Sequence, residues 1–155
     1  MRTIKFRGKT TDTNEWVYGD LVHNYFDGTS KTIEIGIKKQ GFYPREVLAG
    51  TVSQFTGLYD KEENEIYGGD EISVHQFLFE GYEIEKEWKG IVRWVEEHNS
   101  AGWGIKVISG EFALEHTGYS SYEEMPPFTF STIYGLHEES FEITGNIHEK
   151  QDGTR

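Results

Sequence analysis

Apolar and polar residues alternate with a period of two along much of the chain, and this pattern constrains the fold more than any other feature. Ile33, Ile35 and Ile37 alternate with polar residues or glycine, and Ile72 and Val74 continue the same rhythm further along. Successive side chains of a β-strand point to opposite sheet faces, so the alternation indicates half-buried strands. It predicts an all-β or β-rich fold built from small antiparallel β units.

Turn-rich and mixed segments separate the predicted strands. The connector 98–102 (His-Asn-Ser-Ala-Gly) lies between the strand patterns of 91–95 and 104–108, which predicts a hairpin. Residues 111–117 and 129–139 predict two short helices at most, because both segments contain aromatic or β-branched residues with modest helix propensity. Helix is therefore expected to be a minor component of the fold.

The chain has 155 residues, the length of one domain or of two very small ones. An aromatic residue followed by glycine and aspartate occurs at 17–22 and again at 66–72, and in both places it predicts a turn that starts a strand. We expect an N-terminal β unit over 1–60, a second unit over 61–150 and a frayed tail over 151–155. The succession of Gly-Asp and Gly-x-Val strands in the second unit is common in SH3-like barrels, so we expect an SH3-like β-barrel with loop insertions.

Charge and hydropathy limit the classes of partner. The chain carries 15 basic and 27 acidic residues, a formal charge of −12, which argues against nucleic acid because proteins bind phosphates largely through lysine and arginine. Alternation places Lys5, Arg7 and Lys9 on one strand face. The sequence has no apolar run long enough for a membrane span and no signal-peptide pattern at its start, so the expected location is the cytoplasm.

The sequence predicts no catalytic, cofactor-binding or metal-binding residue. Cysteine is absent, which excludes disulfides and thiolate chemistry. The nucleophile elbow of hydrolases, the phosphate-binding loop and the His-Glu-x-x-His metal motif do not occur. Histidines stand beside acidic residues, and surface histidines in an acid-rich chain are the favoured explanation over a metal site assembled by the fold.

One acidic segment has two interpretations. Asp60, Glu62, Asn64 and Glu71 have the spacing of ligands in a calcium-binding EF-hand loop. Position 6 of such a loop requires glycine for its sharp turn, and Glu65 stands there instead. An acidic hairpin turn between two strands is therefore the favoured prediction.

Aromatic residues are abundant, with 10 Phe, 9 Tyr and 4 Trp. Tyr119, Tyr122 and Phe128 lie in a predicted loop, and we give equal weight to a role in the core and a role in an interface. These three are the candidate interface residues. The aromatic surplus and the need of strand-rich chains to cover their edges also predict a homo-oligomer.

Four blocks in order along the chain are distinctive: 4–7 (Ile-Lys-Phe-Arg), 51–61 (Thr-Val-Ser-Gln-Phe-Thr-Gly-Leu-Tyr-Asp-Lys), 65–72 (Glu-Ile-Tyr-Gly-Gly-Asp-Glu-Ile) and 141–149 (Phe-Glu-Ile-Thr-Gly-Asn-Ile-His-Glu). In these blocks the chain resembles the YopX family of phage and prophage proteins. It departs from the family at 62–64, where Glu-Glu-Asn replaces a frequent Asn-Gly turn. The resemblance implies a β-rich fold with an SH3-like barrel part and a phage-related origin, and it implies no activity and no site residues.

These observations favour a non-catalytic module that binds a phage or host protein. Three alternatives stay open at this point: a self-assembling structural or accessory protein, an acidic DNA mimic, and an enzyme that uses dispersed histidines and carboxylates. A continuous negative stripe would favour the mimic, and a pocket with convergent histidines and carboxylates would favour the enzyme.

Overall fold

The computed structural model describes residues 1–26, 30–37, 43–97, 99–137 and 139–149, and these residues form mainly β-strands. The β-rich class predicted from the alternation is confirmed. The strands are β1 (Phe6–Lys9), β2 (Trp16–Phe26), β3 (Ser30–Ile37), β4 (Tyr43–Glu46), β5 (Ser53–Tyr59), β6 (Glu65–Tyr67), β7 (Asp70–Phe79), β8 (Glu83–Glu97), β9 (Ser100–Gly110), β10 (Phe128–Thr129) and β11 (Phe141–Asn146).

Apart from Glu149, which has α-helical backbone, the helical part of the described chain consists of short 3-10 turns. They comprise Ala49–Thr51, Leu114–His116 and Phe130–Thr132. In place of the short helices predicted over 111–117 and 129–139, the described residues of each segment contain one 3-10 turn. Neither turn has a side-chain cap, and Phe112, Phe130 and Ile133 pack against the core, so tertiary contacts take the place of helical hydrogen bonds.

Contacts divide the chain into two compact units, Met1–Gly57 and Leu58–Arg155. In the first unit the strands follow the order β4-β3-β2-β1-β5, with antiparallel neighbours. Val17, Ile35 and Val47 form its buried core. The expected domain bounds of 1–60 and 61–150 stay a prediction, and the expected frayed tail lies outside the described residues.

The two Gly-Asp segments differ in structure. Gly69 has a φ of 85° and forms the turn between β6 and β7, where the Asp70 carboxylate accepts the Tyr67 N–H at 2.8 Å. Gly19 and Asp20 instead lie inside the continuous strand β2. The predicted turn at 19–20 is therefore wrong, because β1 and β3 flank β2 and provide it with ladder hydrogen bonds on both sides.

The second unit contains an antiparallel sheet in the order β10-β9-β8-β7-β11. Its buried core comprises Ile66, Ile72, Val74, Trp88, Val92, Ile105, Val107, Met125 and Phe141. The predicted hairpin near 91–108 is confirmed by the pairing of β8 with β9, and residue 98 of its connector lies outside the described residues. Among the described residues, β10 and β11 are the end strands of this sheet. The closure of the second unit into an SH3-like barrel therefore stays a prediction.

The acidic segment after β5 forms a tight turn. The Asp60 carboxylate accepts the backbone N–H groups of Glu62 at 2.9 Å, Asn64 at 2.8 Å and Ile143 at 3.4 Å. Glu63 has a φ of 64°, in the left-handed region. The predicted hairpin turn is confirmed, since β5 and β6 flank it and the carboxylate binds backbone amides of the turn itself.

Candidate binding groove

The groove lies in the second unit, beside the outer half of the hairpin that β7 and β8 form. Residues 76–86, which we call the hairpin arm, carry the pairing from Gln76 opposite Lys86 to Phe79 opposite Glu83. Residues 111–137, which we call the covering segment, follow β9 and contain β10. Between the arm and the covering segment is a cavity of about 560 Å³.

Apolar and aromatic side chains dominate the lining. The arm contributes Gln76, Leu78, Glu80 and Lys86, and Glu97 comes from the end of β8. The covering segment contributes Phe112, Ala113, Glu115, His116, Thr117, Tyr119, Met125, Pro126, Pro127, Phe128, Thr132, Ile133 and Tyr134. Most of the lining thus comes from the covering segment.

Gln76 fixes the arm to both sides of the groove. Its amide nitrogen donates to the Tyr134 carbonyl at 2.8 Å, and its amide oxygen accepts the Trp88 indole N–H at 3.2 Å. Trp88 is fully buried, and its ring meets Phe112 edge-on at 5.0 Å. A buried indole N–H needs a partner, so Gln76 both satisfies the core and holds the groove wall.

The other wall is held from β9. The Lys106 ammonium donates to the carbonyls of Tyr122, Glu123 and Met125, the Glu123 bond being 3.1 Å. The Tyr122 hydroxyl donates to the carbonyls of Gly110 at 2.7 Å and Phe112 at 3.0 Å. The Lys106 ammonium and the Tyr122 hydroxyl thereby provide hydrogen-bond donors to backbone carbonyls along this wall of the groove.

The three candidate interface residues have different surroundings. Tyr119 lines the groove and has 42% of its surface exposed. Phe128 also lines it, but its ring packs against Phe112 at 5.3 Å and its backbone pairs with Ile105. Tyr122 packs against the core and its hydroxyl binds backbone carbonyls, outside the lining. The groove brings Tyr119 and Phe128 together and leaves Tyr122 in a supporting position.

Sequence reasoning missed Tyr134, which lines the groove and is 83% exposed. The sequence pattern predicts a helix over 129–139 with Ile133 and Leu136 on its apolar face. Tyr134 is not among the residues of that face, so the pattern does not single it out. A signal was present in Tyr134-Gly135, since Gly135 adopts a φ of 75° that a helix interior does not allow.

The rim of the groove is acidic. Glu80, Glu97 and Glu115 are exposed carboxylates in the lining, and Lys86 is the lysine among them. Within the described ranges no salt bridge joins these three carboxylates to a cation. With His116 neutral, the lining therefore has a net negative charge.

A second, shallower cavity of about 420 Å³ is polar. Its lining comprises Lys61, Glu62, His75, Phe77, Glu85 and Glu139. His75 Nδ1 lies 3.6 Å from the nearer Glu85 oxygen, too far for a hydrogen bond. Throughout the part of the chain that the structure describes, no three histidine or carboxylate side chains are placed to hold a metal ion.

The fold and the groove define a β-rich protein of two antiparallel sheets with an aromatic, acid-rimmed groove in its second unit. The chain belongs to the YopX family, because the family model described as YopX protein matches residues 5–152. No curated protein matches the chain. Among the described residues, no helix has the length and apolar character needed to cross a bilayer.

Proposed function

We propose that this protein is a non-catalytic protein-interaction module that binds its partner in the groove of the second unit. The observation that carries the proposal is the lining: an apolar cavity with two aromatic side chains, Tyr119 and Tyr134, left exposed at its margin. Its volume falls within the range of about 300–1,000 Å³ that is usual for binding sites.

The hairpin arm carries two further exposed aromatic side chains outside the lining, which favours a protein partner over a small molecule. Phe79 and Tyr82, at the tip of the arm, are 77% and 68% exposed. Aromatic residues are enriched in protein–protein interfaces.

The biological setting is part of the proposal. Because the chain belongs to the YopX family, and the resemblance to that family implies a phage-related origin, we propose that the chain is phage- or prophage-encoded and acts in the bacterial cytoplasm on a phage or host protein.

Site-specific photo-crosslinking tests the function. A photoreactive phenylalanine analogue replaces Tyr119 in the groove, or Tyr18 in the first unit, whose exposed fraction of 43% is nearly the same. We expect a discrete protein adduct from position 119 and none from position 18. The identified partner, once purified, should bind the wild-type chain and the Tyr18→Ala variant equally, and should bind Tyr119→Ala and Tyr134→Ala more weakly.

The same adducts from both positions, or equal binding of all variants, would overturn the assignment of the groove. Each substituted side chain is at least two-fifths exposed, so loss of binding by Tyr119→Ala or Tyr134→Ala would not reflect unfolding.

A further inference from the structure

We infer that the groove takes an extended, positively charged peptide segment of another protein, with apolar side chains in the cavity and Lys or Arg side chains at the rim carboxylates. This inference rests on the proposed function and specifies the partner of the same site. Three features of the second unit carry it: the charge of the rim, the occupied sheet edges, and the shape of the walls.

The rim favours a cationic ligand. Glu80 and Glu115 come from opposite walls of the groove, and Glu97 adds a third carboxylate against the single ammonium of Lys86. The whole chain has a formal charge of −12, so its long-range field also attracts basic segments and repels acidic ones. A second copy of this chain carries the same negative charge and is therefore a poor occupant.

Several edge positions of β7 and β9 near the groove are already paired, so they offer no ladder to a new strand. The N–H groups of His75 and Phe77 on β7 already donate to Ser140 and Gly135 carbonyls, at 2.8 and 2.9 Å. Beyond them along the same edge, β11 pairs with β7. On the other side, β10 pairs with β9 at Ile105 and Gly104. Recognition of a peptide here must therefore use side chains and not strand addition.

The outer edge of β11 is occupied as well. Ile143 donates its N–H to the Asp60 carboxylate, and the Phe141 carbonyl accepts the Lys61 N–H at 2.8 Å. The bonds of the Asp60 turn thus cover this part of the β11 edge against strand addition.

The walls fit an extended chain. Pro126 and Pro127 lie side by side in the lining, have no N–H to donate and restrict their backbone. Aromatic side chains of Phe112, Phe128 and Tyr119 line the same cavity. Aromatic grooves of this kind bind extended peptides whose backbone stays solvated, because such peptides need no hydrogen-bonding partner along their length.

Selection from a random peptide display library tests the inference. The immobilised full-length protein is the bait, at low salt, and the Tyr134→Ala variant serves for counter-selection. We expect the groove-dependent peptides to be enriched in Lys or Arg together with aromatic or aliphatic residues. Fluorescence polarisation then compares the best synthetic peptide with versions in which its basic residues become Gln or Glu.

Paired protein variants identify the carboxylates. The double variant Glu80→Gln, Glu115→Gln should lower the affinity for the basic peptide by about threefold to tenfold, as expected for two exposed ion pairs. It should leave the affinity for the Gln-substituted peptide unchanged. Glu63→Gln, an exposed carboxylate of the Asp60 turn outside the groove lining, is the matched control and should bind both peptides as the wild type does. Raising the salt concentration should lower the affinity of the protein for the basic peptide and not for the Gln-substituted peptide.

The outcomes separate the two proposals. Enrichment of neutral or acidic peptides that still depend on Tyr134 would overturn the charge inference and leave the binding function of the groove intact. Enrichment of sequences found in this chain would assign the groove to a second copy and overturn the inference. If the selection gives no groove-dependent peptide but position 119 crosslinks to a folded partner, the peptide inference is also overturned. If both experiments fail, the proposed function itself is overturned.

Discussion

At Gly104 the backbone of β9 passes so close to β10 that a side chain has no room. A Cβ atom added there would lie 2.0 Å from the Phe128 carbonyl oxygen, whereas one added at Gly102 would meet nothing within 4 Å. We therefore expect Gly104→Ala to lower the free energy of unfolding by about 1–3 kcal/mol, the usual cost of forced overpacking. Gly102→Ala is the control, and equal urea midpoints for both variants would contradict the close approach.

Asp60 makes stability depend on pH. Burial raises the pKa of its carboxyl, but the N–H donors of Asn64, Glu62 and Ile143 outweigh that effect and hold the pKa below its ordinary value of 3.8. The charged form is thus the one that the fold stabilises. Its contribution is present above the unfolded pKa and is lost as the pH falls through the lower, folded pKa.

We expect Asp60→Asn to destabilise the protein by about 1–3 kcal/mol at neutral pH, because the charged acceptor of several N–H groups is lost. The difference from the wild type should shrink as the pH falls below about 4, because the unfolded carboxyl becomes neutral first and the folded carboxyl only at the lower pH of its depressed pKa. Urea unfolding across this range measures it, with Glu63→Gln as an exposed control. A difference that stays constant with pH would argue against the charged form as the stabilising one.

The position of the covering segment depends on the ammonium group of Lys106. Replacing Lys106 with Met keeps most of the side-chain volume and removes the donor to the carbonyls of Tyr122, Glu123 and Met125. Amides of 121–125 should then exchange hydrogen faster, while those of β7 and β8 keep their protection. Lys89→Met on β8, for which the structure shows no comparable bonds, is the control. Unchanged exchange in 121–125 would show that the aromatic contacts alone order this wall.

How far the elements can be predicted from the sequence depends on how local their determinants are. The alternation of Ile33, Ile35 and Ile37 with other residues is enough to predict strand β3. The Asp60 turn can be predicted as well, because an aspartate carboxylate can accept backbone N–H groups a few residues further along the chain. The irregular covering segment is different. The bond that holds Tyr134 comes from Gln76, which is 58 positions away, so Tyr134 could not be assigned to the groove from local pattern.

At the scale of the whole molecule, the distribution of charge predicts indifference to DNA. The formal charge is −12, and two of the cations, Arg7 and Lys9, are 7% and 6% exposed and lie over the Trp16 ring at 4.6 and 5.5 Å. Buried cations cannot neutralise phosphates. Gel-shift assays at low salt with duplex and single-stranded DNA should show no complex, beside a basic DNA-binding protein as the positive control. A retained band would refute both this expectation and the preferred partner class.

We also propose that copies of the chain associate through the tip of the hairpin arm, where Phe79 and Tyr82 are exposed. Light scattering should give a mass above 17.9 kDa at high concentration, and added salt should increase it by screening the like charges. Phe79→Ser with Tyr82→Ser should restore the monomer mass, whereas Tyr18→Ser in the first unit should not. A wild-type monomer at high concentration would refute the association.

The bonds that join the Asp60 turn to β11 constrain when the second unit can finish folding. Ile143 and Asp60 are separated by 83 positions, and Lys61 binds the carbonyl of Phe141 across a similar span. A nascent chain still missing residues 141–146 therefore leaves one side of β7 without its neighbour. Completion of this unit must follow translation of its last strand, and we expect β7 of the ribosome-bound chain to be accessible to chaperones and proteases until then.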